Sequence, residues 1–178
     1  RSHVIAPFHS ICVRHRFDWY PVVPALGPEG KRHPCRIPHL RNGGRKVKYR
    51  ALGNTGMQVS EIGLGAWQIG GPVRGYFEKL GWIAHGWGSV DDAASIRMMH
   101  TLADVGVNFV DTAAVYGAGH SEEVVGQAVK GKRQQWIIET KGGEGFHQDG
   151  VNWRDFSRAK LLSKIDGSLS RLGTDYVD

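Results

Sequence analysis

Long hydrophobic runs are missing from this 178-residue sequence. No apolar stretch approaches the roughly 18 residues that a membrane-spanning helix needs, and no charged start leads into the apolar segment of a secretory signal. We therefore expect no membrane partner and a cytoplasmic location. The only cysteines, Cys12 and Cys35, lie in the first 50 residues, so no disulfide framework is expected in the rest of the chain.

Acidic residues are scarce at the N-terminus. Residues 1–50 hold 11 Lys or Arg and two Asp or Glu, a net charge of +9, whereas the rest of the chain holds 12 and 15, a net charge of −3. Six of the seven prolines also lie in the first 50 residues, and the apolar residues there keep no lasting period, which favours a loop or disorder. Two interpretations of the arm, residues 1–47, stay open: a flexible extension, or sequence translated upstream of the true start.

The arm also lacks the motifs that would turn its charge into a binding site. No helix-turn-helix, zinc finger or basic-aromatic platform accompanies its Lys and Arg residues, so no nucleic-acid partner is predicted. The set Cys12, His15, His33 and Cys35 follows no common zinc spacing, so no metal site is predicted either.

Short apolar runs alternate with amphipathic stretches after the arm. The predicted elements are a hairpin over 48–61, strands over 62–67, 107–111, 136–141 and from 176, loops over 70–90 and 142–150, helices capped by Ser89 and Ser121, and a third helix from about Ser157. This α/β alternation implies parallel strands joined by right-handed crossovers. A doubly wound sheet and a (β/α)8 TIM barrel both fit the order.

Helical spacing predicts which apolar side chains face inward. His85 is predicted to lie on the surface, and His100, within the first helix, to pack or lie on the surface rather than to bind a ligand. Trp87, in the glycine-rich loop, either lines a substrate pocket or packs the loop down, and the sequence leaves both open. The predicted inward positions are Ile96, Met99 and Ala103 in the first helix, and Leu161, Leu162, Ile165, Leu169 and Leu172 in the third.

Polar residues follow the ends of two successive predicted strands. Asp111 ends one strand and Tyr116 follows it in the loop, and Lys141 ends the next strand. Active sites of barrels lie at the C-terminal ends of their strands, so this placement favours a (β/α)8 barrel over a doubly wound sheet. Because a complete barrel needs about 250 residues, residues 48–178 are expected to form an incomplete one, with the hairpin, about three βα units and the start of strand 4.

These three side chains suit proton donation. A free tyrosine has a pKa of about 10 and is a poor acid near neutrality, but a neighbouring ammonium such as Lys141 stabilises the phenolate. Asp111 would hold the lysine charged, and Tyr116 would donate a proton to a carbonyl oxygen as hydride reaches its carbon. Each residue alone has a simpler interpretation, as a turn cap, a packed aromatic or a solvated charge. Their joint placement favours catalysis.

From Lys48 to Asp178 the sequence resembles the N-terminal portion of an aldo-keto reductase. Trp87-Gly88 followed by Asp91 is most similar to the bacterial and plant branch. The matching pieces are YRALGNTG (49–56), VSEIGLG (59–65), FVDTA (109–113), YG (116–117), HSEEVVG (120–126), ETK (139–141) and SLSRLGTDYVD (168–178).

The resemblance implies an NADP(H)-dependent reductase of small aldehydes and ketones. It places the catalytic Asp, Tyr and Lys of the family on Asp111, Tyr116 and Lys141. It places the glycine-aromatic stretch Gly65-Ala66-Trp67, with Asp111, at the cofactor. Trp67 and Trp87 are expected in the substrate pocket.

The same resemblance implies that parts of the site lie outside these residues. The family's catalytic His is expected a few residues past Asp178, and the segments that hold the cofactor's phosphates later still. This chain alone is therefore expected to be inactive, with a non-catalytic binding or regulatory module, or a truncated remnant, as alternatives. Val47 stands where family members commonly begin with Met, so translation from Val47 is a further hypothesis.

Overall fold

The computed structural model describes residues 11–15, 18–22 and 47–178. Within the arm, strands β1 (Ile11–His15) and β2 (Asp18–Val22) pair antiparallel. The loop or disorder predicted for the arm does not extend to these two segments. The predictions made for the other arm residues, including His33 and Cys35, lie outside the described residues.

Nine further strands and three α-helices are described from residue 47 onward, with short 3₁₀ turns at Gln68–Gly70, Tyr116–Gly119 and Arg133–Gln135. The strands are β3 (Tyr49–Ala51), β4 (Gln58–Ser60), β5 (Leu64–Gly65), β6 (Arg74–Phe77), β7 (Gly81–Ala84), β8 (Phe109–Asp111), β9 (Ile137–Glu139), β10 (Glu144–Phe146) and β11 (Asn152–Arg154). The helices are α1 (Asp92–Asp104), α2 (His120–Val129) and α3 (Arg158–Leu172).

A parallel sheet in the order β5-β8-β9 forms the centre of the fold. Its register pairs Gly65 with Asp111 and Asp111 with Glu139, so the three strands end at one edge. α1 connects β5 to β8 and α2 connects β8 to β9, which confirms the predicted alternation. The antiparallel pair β3–β4 confirms the predicted entry hairpin. In the described part of the chain the sheet does not close into a barrel.

The strand predicted from Tyr176 does not form. The last residues instead lie against β9, where the Asp178 backbone N–H donates to the Ile138 carbonyl over 3.3 Å. The Asp178 carboxylate accepts from the Ile138 N–H at 2.9 Å and from Arg133 at 2.6 Å. Side-chain hydrogen bonds therefore take the place of a regular strand ladder at this edge.

The core lies between the parallel sheet and helices α1 and α2. Met99, predicted to face inward, is fully buried, and Ile96, Leu102 and Ala103 pack against the core from the same helix. His100 packs, which is one of the two alternatives left open by the sequence, and its Nε2 is hydrogen bonded to the Ala128 carbonyl at 2.9 Å. The other fully buried core side chains include Ala66, Val110, Val124, Val125 and Ile138.

The inward face predicted for α3 is wrong along its N-terminal half. Leu172 is 1% exposed, but Leu161, Leu162 and Ile165 are 39%, 51% and 41% exposed. α3 approaches α2 closely only near its end, where a Cβ on Gly126 would lie 2.6 Å from the Leu172 carbonyl oxygen. Helical spacing predicts an apolar face but not which part of it a neighbour covers.

The predicted cap of α1 is also corrected. Asp91, not Ser89, is the N-cap, and its carboxylate accepts a hydrogen bond from the Ala94 N–H at 2.9 Å. Ser157, where the third helix was predicted to start, is the N-cap of α3 and accepts from the Lys160 N–H at 3.3 Å. Both Asp and Ser are favoured N-caps, so the sequence 89–92 offered two candidates for one position.

Replacing Asp91 with Ala is expected to lower the free energy of unfolding by about 1 kcal/mol. The Ala94 N–H in the first turn of α1 has no partner within the helix and would lose the Asp91 carboxylate as its acceptor. Urea denaturation followed by circular dichroism measures the change. Asp104→Ala is the matched control, since it removes an exposed carboxylate from the last turn of the same helix. Equal losses in both variants would contradict the capping role.

Two hairpins replace the predicted glycine-rich loops. β6 pairs with β7 within residues 70–90, and β10 pairs with β11 around residues 142–154. The hairpins touch where the Tyr76 N–H donates to the Gly150 carbonyl over 2.9 Å. The many glycines indicated loops. Because they carry no side chain, the alternation of polar and apolar residues that is typical of a strand could not be recognised in these segments.

Candidate active site

The edge of the parallel sheet brings Asp111 and Lys141 together. Asp111 ends β8, and Lys141 follows β9, whose last residue pairs with Asp111 in the register. The Lys141 Nζ forms an ion pair with Asp111 Oδ1 and also donates to the Thr112 carbonyl at 3.0 Å. The predicted pairing of this acid and amine is thus present in the structure.

Lys141 stays charged in this environment. Partial burial lowers the pKa of Lys141, but the hydrogen bond and negative charge of Asp111 outweigh it, with smaller contributions from Tyr116 and Glu139. The net effect raises the pKa above its ordinary value of 10.5. The ammonium form therefore persists across the neutral range.

Lys141 is expected to make stability depend on alkaline pH. Because its pKa is raised by folding, its charge stabilises the folded state fully below pH 10.5, and this contribution is lost as pH rises through the folded pKa. The stability difference between the unmodified protein and Lys141→Met should therefore shrink above pH 10.5, as measured by urea denaturation across that range. Lys130→Met, at an exposed lysine, is the control. A difference that stays constant for Lys141→Met would contradict the prediction.

Tyr116 stands beside this ion pair on a tight turn. Its ring centroid lies 5.2 Å from the Lys141 Nζ. Gly117 follows at φ +60°, and a Cβ there would lie 1.9 Å from the Gly70 carbonyl oxygen, so only glycine fits. Within residues 47–178 the Tyr116 hydroxyl has no hydrogen-bond partner. A substrate oxygen is therefore free to accept from it.

A buried hydrogen-bond chain fixes the strand ends beneath these residues. The Ser121 hydroxyl donates to the Ala66 carbonyl at 2.7 Å and lies 2.9 Å from the Thr112 hydroxyl. Ser121 was predicted as the N-cap of α2, but the helix begins at His120 and Ser121 lies inside it, fully buried. Its hydroxyl makes tertiary hydrogen bonds instead of a helix cap, and these bonds join α2 to the ends of β5 and β8.

A second buried network lies under the end of β9. Glu122 is 0% exposed and accepts hydrogen bonds from the Thr140 hydroxyl at 2.6 Å and from Arg171 Nε at 2.7 Å. Thr140 directly precedes Lys141, so this network holds the backbone that carries the amine. The sequence interpretation missed the pair. The feature that could have revealed it is the position of Glu122, a charged residue on an otherwise apolar face of α2.

Aromatic rings connect to Tyr116 through Trp67, and we call Tyr116, Trp67, Trp87 and His85 the aromatic wall. Trp67 stacks on Tyr116 at 6.0 Å between ring centroids and 28° between planes. It meets Trp87 edge-on at 5.5 Å and His85 at 5.8 Å. Trp67 is 38% exposed, and Trp87 is half-buried.

The surface position predicted for His85 is wrong. Its ring is partly buried and packs against Phe77 and Phe146, each at 5.4 Å between centroids. These partners belong to the two hairpins that the sequence interpretation took for loops, so nothing in the sequence pattern placed them near His85. Because its ring also contacts Trp67, the structure places His85 at the candidate site.

The predicted cofactor stretch occupies the end of β5. A Cβ on Gly65 would meet no atom within 4 Å, so the space over this residue is open. Ala66 is fully buried, and its N–H donates to the Asp111 carbonyl at 2.8 Å, which locks the two strand ends together. Gly65 and Trp67 are the members of this stretch that a bound molecule can reach.

A cavity of about 310 Å³ borders Lys141 on the side of α3. Its lining includes Lys164, Arg171 and the exposed apolar side chains of Leu161 and Ile165. Among the described residues, no three metal-ligating side chains come together, and no helix has the length and apolar character needed to cross a membrane.

Comparisons with known proteins place the chain in a family. The model of the Aldo/keto reductase family matches residues 61–178. The chain belongs to this family, whose fold is a (β/α)8 barrel.

Two curated relatives illustrate the likeness. Aldo-keto reductase YhdN of Bacillus subtilis is 37% identical over 134 residues, which cover 74% of this chain and 36% of that protein. L-galactose dehydrogenase of Arabidopsis thaliana is 38% identical over 143 residues, which cover 75% of this chain and 37% of that protein. The chain thus spans little more than a third of the length of these relatives.

Solved structures give the same result. The holo form of aldo-keto reductase AKR11C1 from Bacillus halodurans aligns with a TM-score of 0.60 at 34% identity, over 74% of this chain and 38% of that one. A putative aldo-keto reductase from Pseudomonas aeruginosa aligns with a TM-score of 0.59 at 34% identity, over 75% and 45%.

Proposed function

We propose that this chain is the N-terminal part of an NADP(H)-dependent reductase that converts aldehydes and ketones to alcohols. The observation that carries the proposal is the Lys141–Asp111 ion pair beside the unpaired hydroxyl of Tyr116. Membership of the aldo/keto reductase family supports it independently.

Tyr116 is the proton donor in this proposal. Its hydroxyl donates a hydrogen bond to the substrate carbonyl oxygen, and the proton moves to that oxygen as negative charge develops there. The Lys141 ammonium, 5.2 Å from the ring, stabilises the phenolate that remains. Asp111 keeps the ammonium charged and oriented through the ion pair.

The residues present fit a nicotinamide cofactor at the end of β5. The open space over Gly65 lies next to Asp111 in the sheet register, so a flat ring has room at the strand ends. Gly65 and Trp67 would contact it, with Asp111 at its edge, while buried Ala66 would hold the backbone in place. When bound, NADPH supplies hydride to the carbonyl carbon.

The remaining parts of the site are proposed to come from segments that these 178 residues do not contain. The family resemblance assigns a catalytic His to the end of the fourth strand and the cofactor's phosphates to later segments. We accordingly propose that residues 48–178 form the N-terminal half of the barrel and do not turn over alone.

The test is NADPH oxidation, followed by absorbance, with small aldehydes as substrates. The complete product of the gene is expected to reduce them, and the 178-residue chain is not. A complete product that folds but reduces no carbonyl compound would favour a non-catalytic binding module of the same fold. Turnover by the 178-residue chain would contradict the assignment of essential groups to other segments.

A further inference from the structure

The turn that follows Tyr116 has a costly backbone conformation. Three successive residues, Gly117, Ala118 and Gly119, lie in the left-handed region, at φ +60°, +55° and +105°. Glycine adopts this region freely, but Ala118 is the one non-glycine residue with a positive φ in the described part of the chain. Its side chain is exposed, so no burial of its own offsets the strain, and the surrounding residues have to hold the turn in place.

The beginning of the turn is fixed by the main chain. Gly117 rests on Gly70 so closely that a Cβ on Gly117 would lie 1.9 Å from the Gly70 carbonyl oxygen. The Ala118 N–H donates to the Val115 carbonyl at 3.2 Å. These contacts act at or before Ala118, so a separate support is needed where the chain leaves the turn.

A hydrogen bond between two helices holds the chain just after the turn. His120 is the first residue of α2 and Asp92 is the first residue of α1, and His120 Nε2 lies 2.9 Å from Asp92 Oδ1. An ionised carboxylate only accepts hydrogen bonds, so Nε2 is the donor. The buried side of α2 is held independently, because the next residue, Ser121, donates to the Ala66 carbonyl. His120 therefore holds the exposed side of the same helical turn.

His120 is also bonded to the residue that carries the phenol. Its backbone N–H donates to the Tyr116 carbonyl oxygen, so a displacement of His120 is passed on to Tyr116. In this position the Tyr116 ring lies 5.2 Å from the Lys141 Nζ and 6.0 Å from the Trp67 ring. The hydrogen bond to Asp92 thus connects the start of α1 to the geometry of the proposed proton donor.

We propose that Asp92 and His120 form a clamp that keeps the strained turn closed and so positions Tyr116 for proton donation. This inference rests on the proposed reductase function, which assigns the proton donor. Both are positioning residues, since they act through the turn and not on the substrate. Their side chains are 42% and 36% exposed, and an exposed pair contributes a free energy no larger than the strain of one left-handed alanine. Loss of the clamp therefore opens the turn and leaves the protein folded.

The first test is hydrogen exchange of the Ala118 amide in the 178-residue chain, followed by NMR. His120→Asn keeps a polar side chain but stops short of the Nε2 position, so exchange should become about fivefold faster, the effect of one lost exposed pair. His120→Gln places an amide nitrogen near the Nε2 position and should restore slow exchange. The Val107 amide, bonded to the Leu102 carbonyl at 2.9 Å beyond the end of α1, is the internal reference.

The second test is steady-state NADPH oxidation with pentanal in the complete gene product. His120→Asn and Asp92→Ala are each expected to lower kcat about fivefold with KM nearly unchanged, and the two together no further than either alone. His120→Gln should retain most of kcat. Ala118→Gly removes the strain and should recover most of the kcat lost in His120→Asn. Asp104→Ala, at an exposed acid in the last turn of α1, is the control.

The two tests separate the clamp from the reductase function. Unchanged exchange of the Ala118 amide in His120→Asn would overturn the clamp, whatever the enzyme assay gives. Equal losses of kcat in His120→Asn and His120→Gln would show that the hydrogen bond to Asp92 does not position Tyr116. A complete product that reduces pentanal in no form would overturn the reductase function and the role in proton donation with it, and the exchange result alone then decides whether the clamp exists.

Discussion

Tyr116→Phe is expected to lower kcat for carbonyl reduction by about 10² to 10⁴-fold, the usual contribution of a positioned proton donor. The phenylalanine ring keeps the stacking on Trp67, and the backbone turn at Gly117 is unaffected. Substrate KM should therefore change little. Steady-state kinetics of NADPH oxidation in the complete gene product measures both quantities.

Tyr76→Phe provides the matched control for this variant. Tyr76 is 37% exposed on β6, its ring packs on Trp82, and its hydroxyl has no hydrogen-bond partner within residues 47–178. Removing that hydroxyl should leave kcat unchanged. A Tyr116→Phe protein that folds and retains full kcat would show that another group donates the proton, and the proposed role of Tyr116 would be abandoned.

The second large effect concerns stability rather than chemistry. Glu122→Ala is expected to lower the free energy of unfolding by about 3 kcal/mol, because it removes the charge-assisted hydrogen bond to the partly exposed Arg171 and leaves the Thr140 hydroxyl without its acceptor. Glu122 is fully buried, and its loss strips the Arg171 guanidinium and the Thr140 hydroxyl of their shared acceptor. Urea denaturation followed by circular dichroism measures the change.

Glu123→Ala is the control for the buried pair. Glu123 is the next residue on α2, is exposed, and also lies in the first turn of the helix. Its replacement should cost far less than that of Glu122. A double-mutant cycle with Arg171→Met then isolates the pairwise energy. Losses of similar size in Glu122→Ala and Glu123→Ala would rule out a stabilising buried network.

Sequence patterns predicted the elements that local chemistry controls. The alternation of strands and helices, the entry hairpin at β3–β4, the start of α3 near Ser157 and the burial of Met99 all follow from turn residues, helix start signals and helical spacing. The pairing of Asp111 with Lys141 followed from a further rule, that parallel strands end at one edge.

The errors arose where tertiary contacts decide the outcome. Ser121 is a good N-cap by type, but its hydroxyl is drawn to the Ala66 carbonyl and Thr112 on the sheet. His85 carries no local signal of burial, because its partners Phe77 and Phe146 come from separate hairpins. The apolar residues of α3 were predicted to be buried but are exposed for the same reason. Helical spacing identifies an apolar face, but it does not show whether another element packs on that face.

The contact between Gly70 and Gly117 has a consequence for the precision of the site. A Cβ on Gly70 would lie 2.8 Å from the Gly117 nitrogen, and one on Gly117 would lie 1.9 Å from the Gly70 oxygen. Two bare stretches of main chain from successive strand–helix units therefore rest directly on one another beneath Tyr116. The main chain that carries Tyr116 is therefore positioned by direct backbone contact with the neighbouring unit, and any side chain added at Gly70 or Gly117 would displace it.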